Sequence, residues 1–272
     1  MIWKQSKLAQ MKVLLEKINK MDFNIEVIVI IFLIFMLGAS FGSFISALTY
    51  RREVGISIIS PPSFCDFCGK RILKRDLVPV LSFLLLKGKT RCCGQKISKD
   101  KVLAEIAAGL AFVFVFKSYN NFEALFLLAA LLFSLLISIT DYKFLEIYDK
   151  DLKSLLIIGF VYRLIFLKIN LKFLSICFIF TLIFMLVRWI SKGGLGDGDL
   201  FFYLGLFCFL ENSLIIRFIL LSIWIGAFFA IIKAIKQKSL KGSIALCPAI
   251  SIAFLLVVIF KDWLWKNLDL LL

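Results

Sequence analysis

The sequence predicts an all-α protein that crosses a membrane about eight times and carries one polar loop of substantial size. The chain of 272 residues is 61% hydrophobic, has a mean hydropathy of +0.97, and contains 30 phenylalanines but only four prolines. Several apolar runs reach the ~20 residues that a bilayer-spanning helix requires. The lipid bilayer is therefore the first expected partner of the chain.

The net charge of +15 does not indicate nucleic-acid binding, and no nucleic-acid partner is predicted. Lysine and arginine accumulate in the cytoplasmic loops of membrane proteins, so this charge is an indicator of orientation. Of the 33 basic residues, 21 fall in four loops, which are 51–101, 141–153, 188–199 and 233–243. This asymmetry predicts a multi-pass protein of the cytoplasmic (inner) membrane with an outside N-terminus and these four loops in the cytoplasm.

The elements follow the apolar runs in chain order. Residues 1–26 form a lysine-rich lead-in that could be an interfacial helix, and its basic stretch is too long for a cleavable signal peptide. Residues 27–48 are the first transmembrane helix, 49–101 a cytoplasmic loop, and 102–272 the membrane core. Eight runs are candidate spans: 27–48, 102–116, 122–140, 152–169, 172–190, 200–211, 213–232 and 244–260. The run 200–211 is short and could be tilted or re-entrant.

The loop 49–101 contains four cysteines in a pattern that indicates a metal site. Cys65 and Cys68 form a CxxC knuckle, and Cys92 and Cys93 follow after an interval of 23 residues. Thiolates at this spacing suit tetrahedral zinc, and a small module often needs a metal to be stable. The second pair is adjacent rather than CxxC, so a loop of reduced thiols without metal is the alternative. Cys177, Cys208 and Cys247 lie in apolar runs and are interpreted as small packing residues.

Two acidic positions stand at the ends of apolar runs in a chain that has no histidine. Asp141 follows the third run, and a glycine-rich stretch, 193–199 (GGLGDGD), precedes the sixth. A carboxylate beside hydrocarbon is costly, so a functional interpretation competes with helix capping and with a flexible loop. Two carboxyls that share a site can activate water, whereas the missing histidine excludes Ser–His–Asp, Cys–His and HExxH chemistry.

Several motifs together resemble the type IV prepilin peptidases, which are membrane aspartyl proteases of the GxGD type. The likeness extends from about residue 38 to 260. Its marks are Gly42-Ser43-Phe44 with Arg51, 60–69 (SPPSFCDFCG), 76–82 (DLVPVLS), 86–89 (LKGK), Cys93-Gly94, Ile97-Ser98 and Glu105. The chain departs from the family pattern at some positions, among them Ser46, Thr90, Tyr148 and Phe201.

This resemblance implies a function and assigns site residues. The family cuts the basic leader from prepilin-like proteins at the cytoplasmic membrane face, and many members then methylate the new N-terminus with S-adenosylmethionine. Asp141 matches the first catalytic aspartate, and Asp199 matches the second because six positions of 194–199 fit the family motif GMGxGD. A rival register with four fitting positions makes Asp197 the second. Zinc on Cys65, Cys68, Cys92 and Cys93 completes the expected site.

Two other functions stay open at the level of sequence. A non-enzymatic transporter or channel with a metal- or redox-sensing loop would also keep intramembrane carboxylates. A methyltransferase without protease activity is the second. The particular client protein and the oligomeric state are not predicted.

Overall fold

The computed structural model of the protein describes residues 2–191, 194–237 and 244–261, and within them the regular structure is helical. Gly193 of the glycine-rich stretch, the loop 238–243 and the end of the predicted core at 262–272 lie outside the described residues. The helices are α1 (Ile2–Glu53), α2 (Leu81–Leu85), α3 (Lys99–Ser118), α4 (Asn121–Phe144), α5 (Asp149–Tyr162), α6 (Leu171–Ile190), α7 (Asp197–Phe207), α8 (Asn212–Gln237) and α9 (Cys247–Ile259).

The predicted all-α membrane architecture is confirmed, and each of the eight predicted runs overlaps a helix. The number of membrane crossings stays a prediction. Among the described residues, four segments are long and apolar enough to cross a membrane by length and composition. They are Ile25–Glu53, Phe122–Phe144, Leu171–Ile190 and Asn212–Lys236. The first of these lies within α1, which is continuous from Ile2, so the lead-in and the first predicted span share one helix. The interfacial position of the lead-in stays a prediction.

Small residues set the contact between α1 and α3. Gly38 and Gly42 lie one helical turn apart on α1, and each faces the backbone of α3. A methyl group added at Gly42 would lie 2.5 Å from the carbonyl oxygen of Ala104, and one at Gly38 would lie 2.6 Å from that of Ala108. Glycines at this spacing let membrane helices approach closely because they have no side chain. Close packing matters in a bilayer, where no hydrophobic force drives helices together. The Gly42-Ser43-Phe44 motif thus marks a helix crossing.

Aromatic residues fill the centre of the C-terminal bundle. The rings of Phe207, Phe218 and Phe254 are fully buried, and Phe218 meets the other two edge-on at centroid distances of 6.0 and 6.1 Å. Such edge-to-face pairs are favourable because the positive ring edge meets the negative ring face. This aromatic layer joins α7, α8 and α9, so the first turns of α7 and α9 are held in a fixed relation.

The antiparallel order of the helices gives the bundle two chemically different ends. At one end Arg52 of α1 forms a two-pronged ion pair with Asp151 of α5. At the other end the buried Arg163 donates to two carbonyls, that of Phe207 at the end of α7 and that of Leu210 just beyond it. The C-terminus of α4 and the N-termini of α5, α7 and α9 all lie at the first end. We call this the Asp151 end.

Candidate active site and metal centre

Asp141 lies in the last turn of α4, and its side chain is buried. Its Oδ2 atom accepts a hydrogen bond of 2.9 Å from the backbone N–H of Cys247, the first residue of α9. The N–H groups in the first turn of a helix have no partner within the helix, and they favour a negatively charged group. The start of α9 therefore holds the Asp141 carboxyl from across the bundle.

Asp199 lies in the first turn of α7, at the Asp151 end. Its Oδ2 atom accepts from the N–H of Gly196 at 3.3 Å, and its Oδ1 atom lies 3.4 Å from the Cys247 thiol sulfur. Carboxylate oxygens of Asp141 and Asp199 and the Cys247 sulfur lie within 4.8 Å of one another. Asp141 and Asp199, which border apolar runs far apart in sequence, thus come together in one cluster with Cys247, and Asp199 is the partly exposed member.

The structure separates Asp199 from its neighbour Asp197. Asp197 is exposed on the far side of the same helical turn and forms an ion pair with Arg188 of α6. Residues two apart on a helix do not face the same way, so only one of these aspartates can face Asp141. The geometry brings Asp199 to Asp141 and leaves Asp197 exposed beside Arg188.

Gly198 explains part of the glycine-rich stretch. A methyl group added at Gly198 would lie 2.8 Å from the Cδ1 atom of Ile147, in the loop that follows α4. A side chain at 198 would force Ile147 to shift, so glycine lets the first turn of α7 pack directly against the α4–α5 connection. The glycine at 198 therefore brings the Asp199 helix close to the helix that carries Asp141.

The four predicted cysteines of the loop also come together. The sulfur atoms of Cys68 and Cys92 are 3.3 Å apart, those of Cys65 and Cys93 are 3.7 Å apart, and all four lie within 4.8 Å of one another. Tetrahedral zinc with Zn–S bonds of about 2.3 Å requires sulfurs roughly 3.8 Å apart. The thiols thus fit a zinc ion, and no rearrangement of the backbone is needed to collect them.

The two halves of the cysteine module repeat one turn. The N–H of Gly69 donates to the carbonyl of Cys65, and the N–H of Gly94 donates in the same way to that of Thr90. Both glycines have a left-handed φ, +69° and +70°, a conformation that a glycine adopts without strain. Thr90 thus occupies the place of the missing first cysteine of the second knuckle, and Cys92 supplies the fourth thiol.

Hydrogen bonds make the thiols of the module unequal. The Thr90 hydroxyl lies 3.1 Å from the Cys93 sulfur and lowers the pKa of Cys93 to about 7. A hydrogen bond to Cys68 raises the pKa of Cys92 to about 12. Nearby, Arg91 donates to both oxygens of Asp76 and lowers the pKa of that carboxyl. Arg91 therefore fastens the second knuckle to the turn at residues 74–77.

A cavity of about 440 Å³ separates this module from α1 and α3. Tyr50 and Glu105 line it from the helices, and Phe64, Asp76 and Phe83 line it from the module. Glu105 also accepts from the N–H of Val80 at 2.7 Å, which ties the module to α3. The volume falls in the range of small-molecule sites, and its lining combines aromatic rings with carboxylates.

Sequence reasoning missed Cys247, which it assigned to packing. The structure places this residue between the two aspartates, where it contributes a backbone N–H to one and a thiol to the other. Pro248 supplies a usable signal, because proline favours the first turn of a helix and so predicts a helix start at this end of a run. Cys208, by contrast, lies just after α7 and its sulfur contacts the carbonyl of Leu204 on that helix, as is common for a packing residue.

In comparisons with known proteins, two protein-family models match successive segments of the chain. The Bacterial Peptidase A24 N-terminal domain matches residues 36–119, and the Type IV leader peptidase family matches residues 125–231. These segments divide the chain between the module with its flanking helices and the bundle that carries both aspartates. No solved structure matches the chain.

Several curated relatives share one name, prepilin leader peptidase/N-methyltransferase. The relative from Bacillus subtilis is 27% identical over 85% of this chain and 94% of its own length. The relative from Klebsiella pneumoniae is 43% identical over 29% of this chain, and the chain spans only 38% of its length. The relative from Dichelobacter nodosus is 30% identical, with 61% and 60% covered. On both family matches and these relatives, the chain belongs to the type IV prepilin peptidase family.

Proposed function

We propose that this protein is a membrane-embedded aspartyl endopeptidase that removes the basic leader of type IV prepilin-like proteins, with Asp141 and Asp199 as the catalytic pair. The observation that carries the proposal is the cluster in which carboxylate oxygens of these residues lie within 4.8 Å of each other. The names of the relatives supply the substrate class. The chain has no histidine, so the carboxyls are the groups at hand for acid–base chemistry.

The proposed mechanism follows from the repulsion between two nearby carboxylates. Because both cannot easily be ionised at this distance, the pair holds one proton. The ionised carboxyl takes a proton from a water molecule, which attacks the scissile carbonyl, while the protonated carboxyl donates to the carbonyl oxygen. As the tetrahedral intermediate collapses, a carboxyl returns a proton to the leaving amine, and the peptide bond breaks.

We propose the cytoplasm as the side on which cleavage occurs. The Asp151 end holds both aspartates, and the sequence segments predicted to be cytoplasmic, 51–101, 141–153, 188–199 and 233–243, carry 21 of the 33 basic residues. Basic loops remain on the cytoplasmic side of the inner membrane. A basic leader that has not crossed the membrane would meet the site there.

The cysteine module is the proposed site of one structural zinc ion, held by Cys65, Cys68, Cys92 and Cys93. Zinc would cross-link the two knuckles of a segment that is too small to have an extensive core. The metal lies in a separate loop from the aspartates, so the proposed hydrolysis does not depend on it directly. The role of the module is to shape the surface beside the membrane.

A second activity, methylation of the new N-terminus, is favoured by the cavity of about 440 Å³ beside the module. S-adenosylmethionine would supply the methyl group when bound. The Glu105 carboxylate could hold one of its positively charged groups, and the rings of Tyr50 and Phe64 could contact its adenine. The names of the relatives include this activity.

Mass spectrometry of a prepilin expressed together with the enzyme tests the proposal. Asp141→Asn and Asp199→Asn should each lower leader cleavage by about a thousandfold, because each removes a group that transfers protons. Asp197→Asn is the matched control on the same helical turn, and it should retain cleavage within about twofold because exposed ion pairs contribute little. Full cleavage by either of the first two variants would reject the assignment.

The same spectra separate the remaining alternatives. A client shortened and carrying one added methyl group indicates both activities, and a client that is only shortened indicates the protease alone. A methyl group without shortening would indicate a methyltransferase, and an unchanged client would favour a transporter or channel. Loss of cleavage in Asp197→Asn with retention in Asp199→Asn would support the rival register.

A further inference from the structure

The contacts of Cys247 link the two carboxyls of the proposed active site through a single residue. Its backbone N–H donates to Asp141 Oδ2 at 2.9 Å, and its thiol donates to Asp199 Oδ1 at 3.4 Å. The two partners lie on different helices, 106 and 48 residues away in the chain. Both contacts end on carboxylate oxygens, which accept hydrogen bonds when ionised.

The position of Cys247 is itself fixed by its surroundings. Its carbonyl accepts from the hydroxyl of Ser138 on α4 at 3.1 Å, and the hydroxyls of Ser138 and Ser251 are hydrogen-bonded to each other. The Cys247 side chain has no exposed surface. A residue held at its N–H, its carbonyl and its side chain has little freedom, so its thiol can define the direction of a partner.

We propose that Cys247 is a positioning residue of the active centre, which orients the Asp141 and Asp199 carboxyls toward a common point. This inference rests on the proposed function, since it gives the two carboxyls a shared task. The backbone N–H fixes Asp141, and the S–H group turns the Oδ1 atom of Asp199 inward. A thiol is a weak hydrogen-bond donor, so its contribution is to the orientation of the Asp199 carboxyl rather than to the energy of the contact. Catalysis depends on direction because small displacements of a reacting group slow the reaction strongly.

Cys247→Ala and Cys247→Ser test this role. The alanine variant keeps the backbone N–H to Asp141 and removes the donor to Asp199, so kcat for leader cleavage should fall about tenfold. KM should change less than about twofold, because the substitution removes no contact that binds the substrate in its ground state. The serine variant restores a hydroxyl donor and should recover kcat to within about threefold of the wild type.

Cys208→Ala is the matched control. Cys208 lies just after α7, its sulfur contacts the carbonyl of Leu204 on that helix, and it is partly buried. The Cys208→Ala variant also loses a thiol, but one at the opposite end of α7 from the carboxyls. Its kcat should therefore stay within about twofold of the wild type. Thermal unfolding in detergent, measured for all variants, identifies any loss of kcat that comes from unfolded protein.

Two results would overturn the inference. One is a well-folded Cys247→Ala variant with wild-type kcat, and the other is equal loss of kcat in the alanine and serine variants. Asp141→Asn and Asp199→Asn, assayed beside them, separate the two proposals. If these variants are inactive while Cys247→Ala is fully active, only the positioning role fails. If they cleave the leader, the proposed function fails and the positioning role with it.

Discussion

At the scale of single residues, the site depends on which way a carboxyl points. Asp197 and Asp199 are two positions apart at the start of one helix, and both follow a glycine. Asp199 is turned into the cluster with Asp141, whereas Asp197 is turned out to Arg188. A helix turns about 100° per residue, so the two cannot exchange roles without rotation of α7. Residue identity alone leaves this choice open, and helical geometry decides it.

The cysteine module provides the residue-scale prediction. The purified protein should contain about one zinc ion per chain, as a four-thiolate site holds one. Cys65→Ser should lose most of this zinc, because it removes one of four sulfurs that lie within 4.8 Å of one another. Metal content is measured by atomic emission on protein purified without added metal.

Cys177→Ser is the control for that measurement, since Cys177 lies on α6 and outside the cluster. It should keep its zinc. Equal zinc content in Cys65→Ser and the wild type would contradict the assignment, and so would a wild-type protein that is free of metal and still folded.

At the scale of elements, the helices are arranged by glycines that permit close contact. Gly159 of α5 faces Gly205 of α7, and a methyl group at Gly159 would lie 2.9 Å from the Gly205 carbonyl oxygen. The same methyl group would lie 2.9 Å from side-chain atoms of Cys208 and Phe209. Such crowding cannot be relieved by one flexible side chain. The distance between α5 and α7, and with it the position of the Asp199 helix, depends on this pair.

Gly159→Ala should therefore destabilise the protein by about 1–3 kcal/mol, the usual cost of overpacking a close contact. The measurement is the midpoint of thermal unfolding in detergent. Gly226→Ala on α8 is the matched control, because the nearest atom there is the end of the Leu246 side chain at 3.3 Å. A Gly159→Ala variant as stable as Gly226→Ala would show that the two helices can separate without cost.

At the scale of the whole molecule, the order of the helices gathers both aspartates, Cys247 and the Arg52–Asp151 ion pair at one end. That pair joins α1 to α5 and so connects the segment beside the cysteine module with the bundle. Arg163, fully buried at the other end, holds the chain just beyond α7. The loops at the Asp151 end are the basic ones, so this end should face the cytoplasm.

Labelling of single introduced cysteines tests this orientation. Glu146→Cys lies in the α4–α5 connection at the Asp151 end, and Asn120→Cys lies in the α3–α4 connection at the other end. Both positions are exposed. A maleimide that cannot cross membranes should label Asn120→Cys in intact cells and Glu146→Cys only in inverted vesicles. The labelled residue is identified by peptide mass spectrometry, because the exposed Cys68, Cys92 and Cys93 also carry free thiols. The reverse pattern would place the proposed site outside the cytoplasm.

Much of the fold could be predicted from local patterns. The length and hydropathy of each run predicted where helices form, because a bilayer requires about 20 apolar residues and internal hydrogen bonding. The CxxC knuckle at Cys65 predicted a cluster of thiols, since its spacing lets one turn supply two ligands. The continuous helix from Ile2 through the lead-in was not predicted, because a basic sequence without sharp capping signals does not define where a helix begins.

The sequence by itself thus determined the class of the protein, its apolar segments and the residue types able to act. Only the tertiary structure decided that Asp199, rather than Asp197, meets Asp141, and that Cys247 lies between them. Contacts of this kind join residues 48 to 106 positions apart. They depend on the rotation and separation of packed helices, which short-range periodicity does not specify.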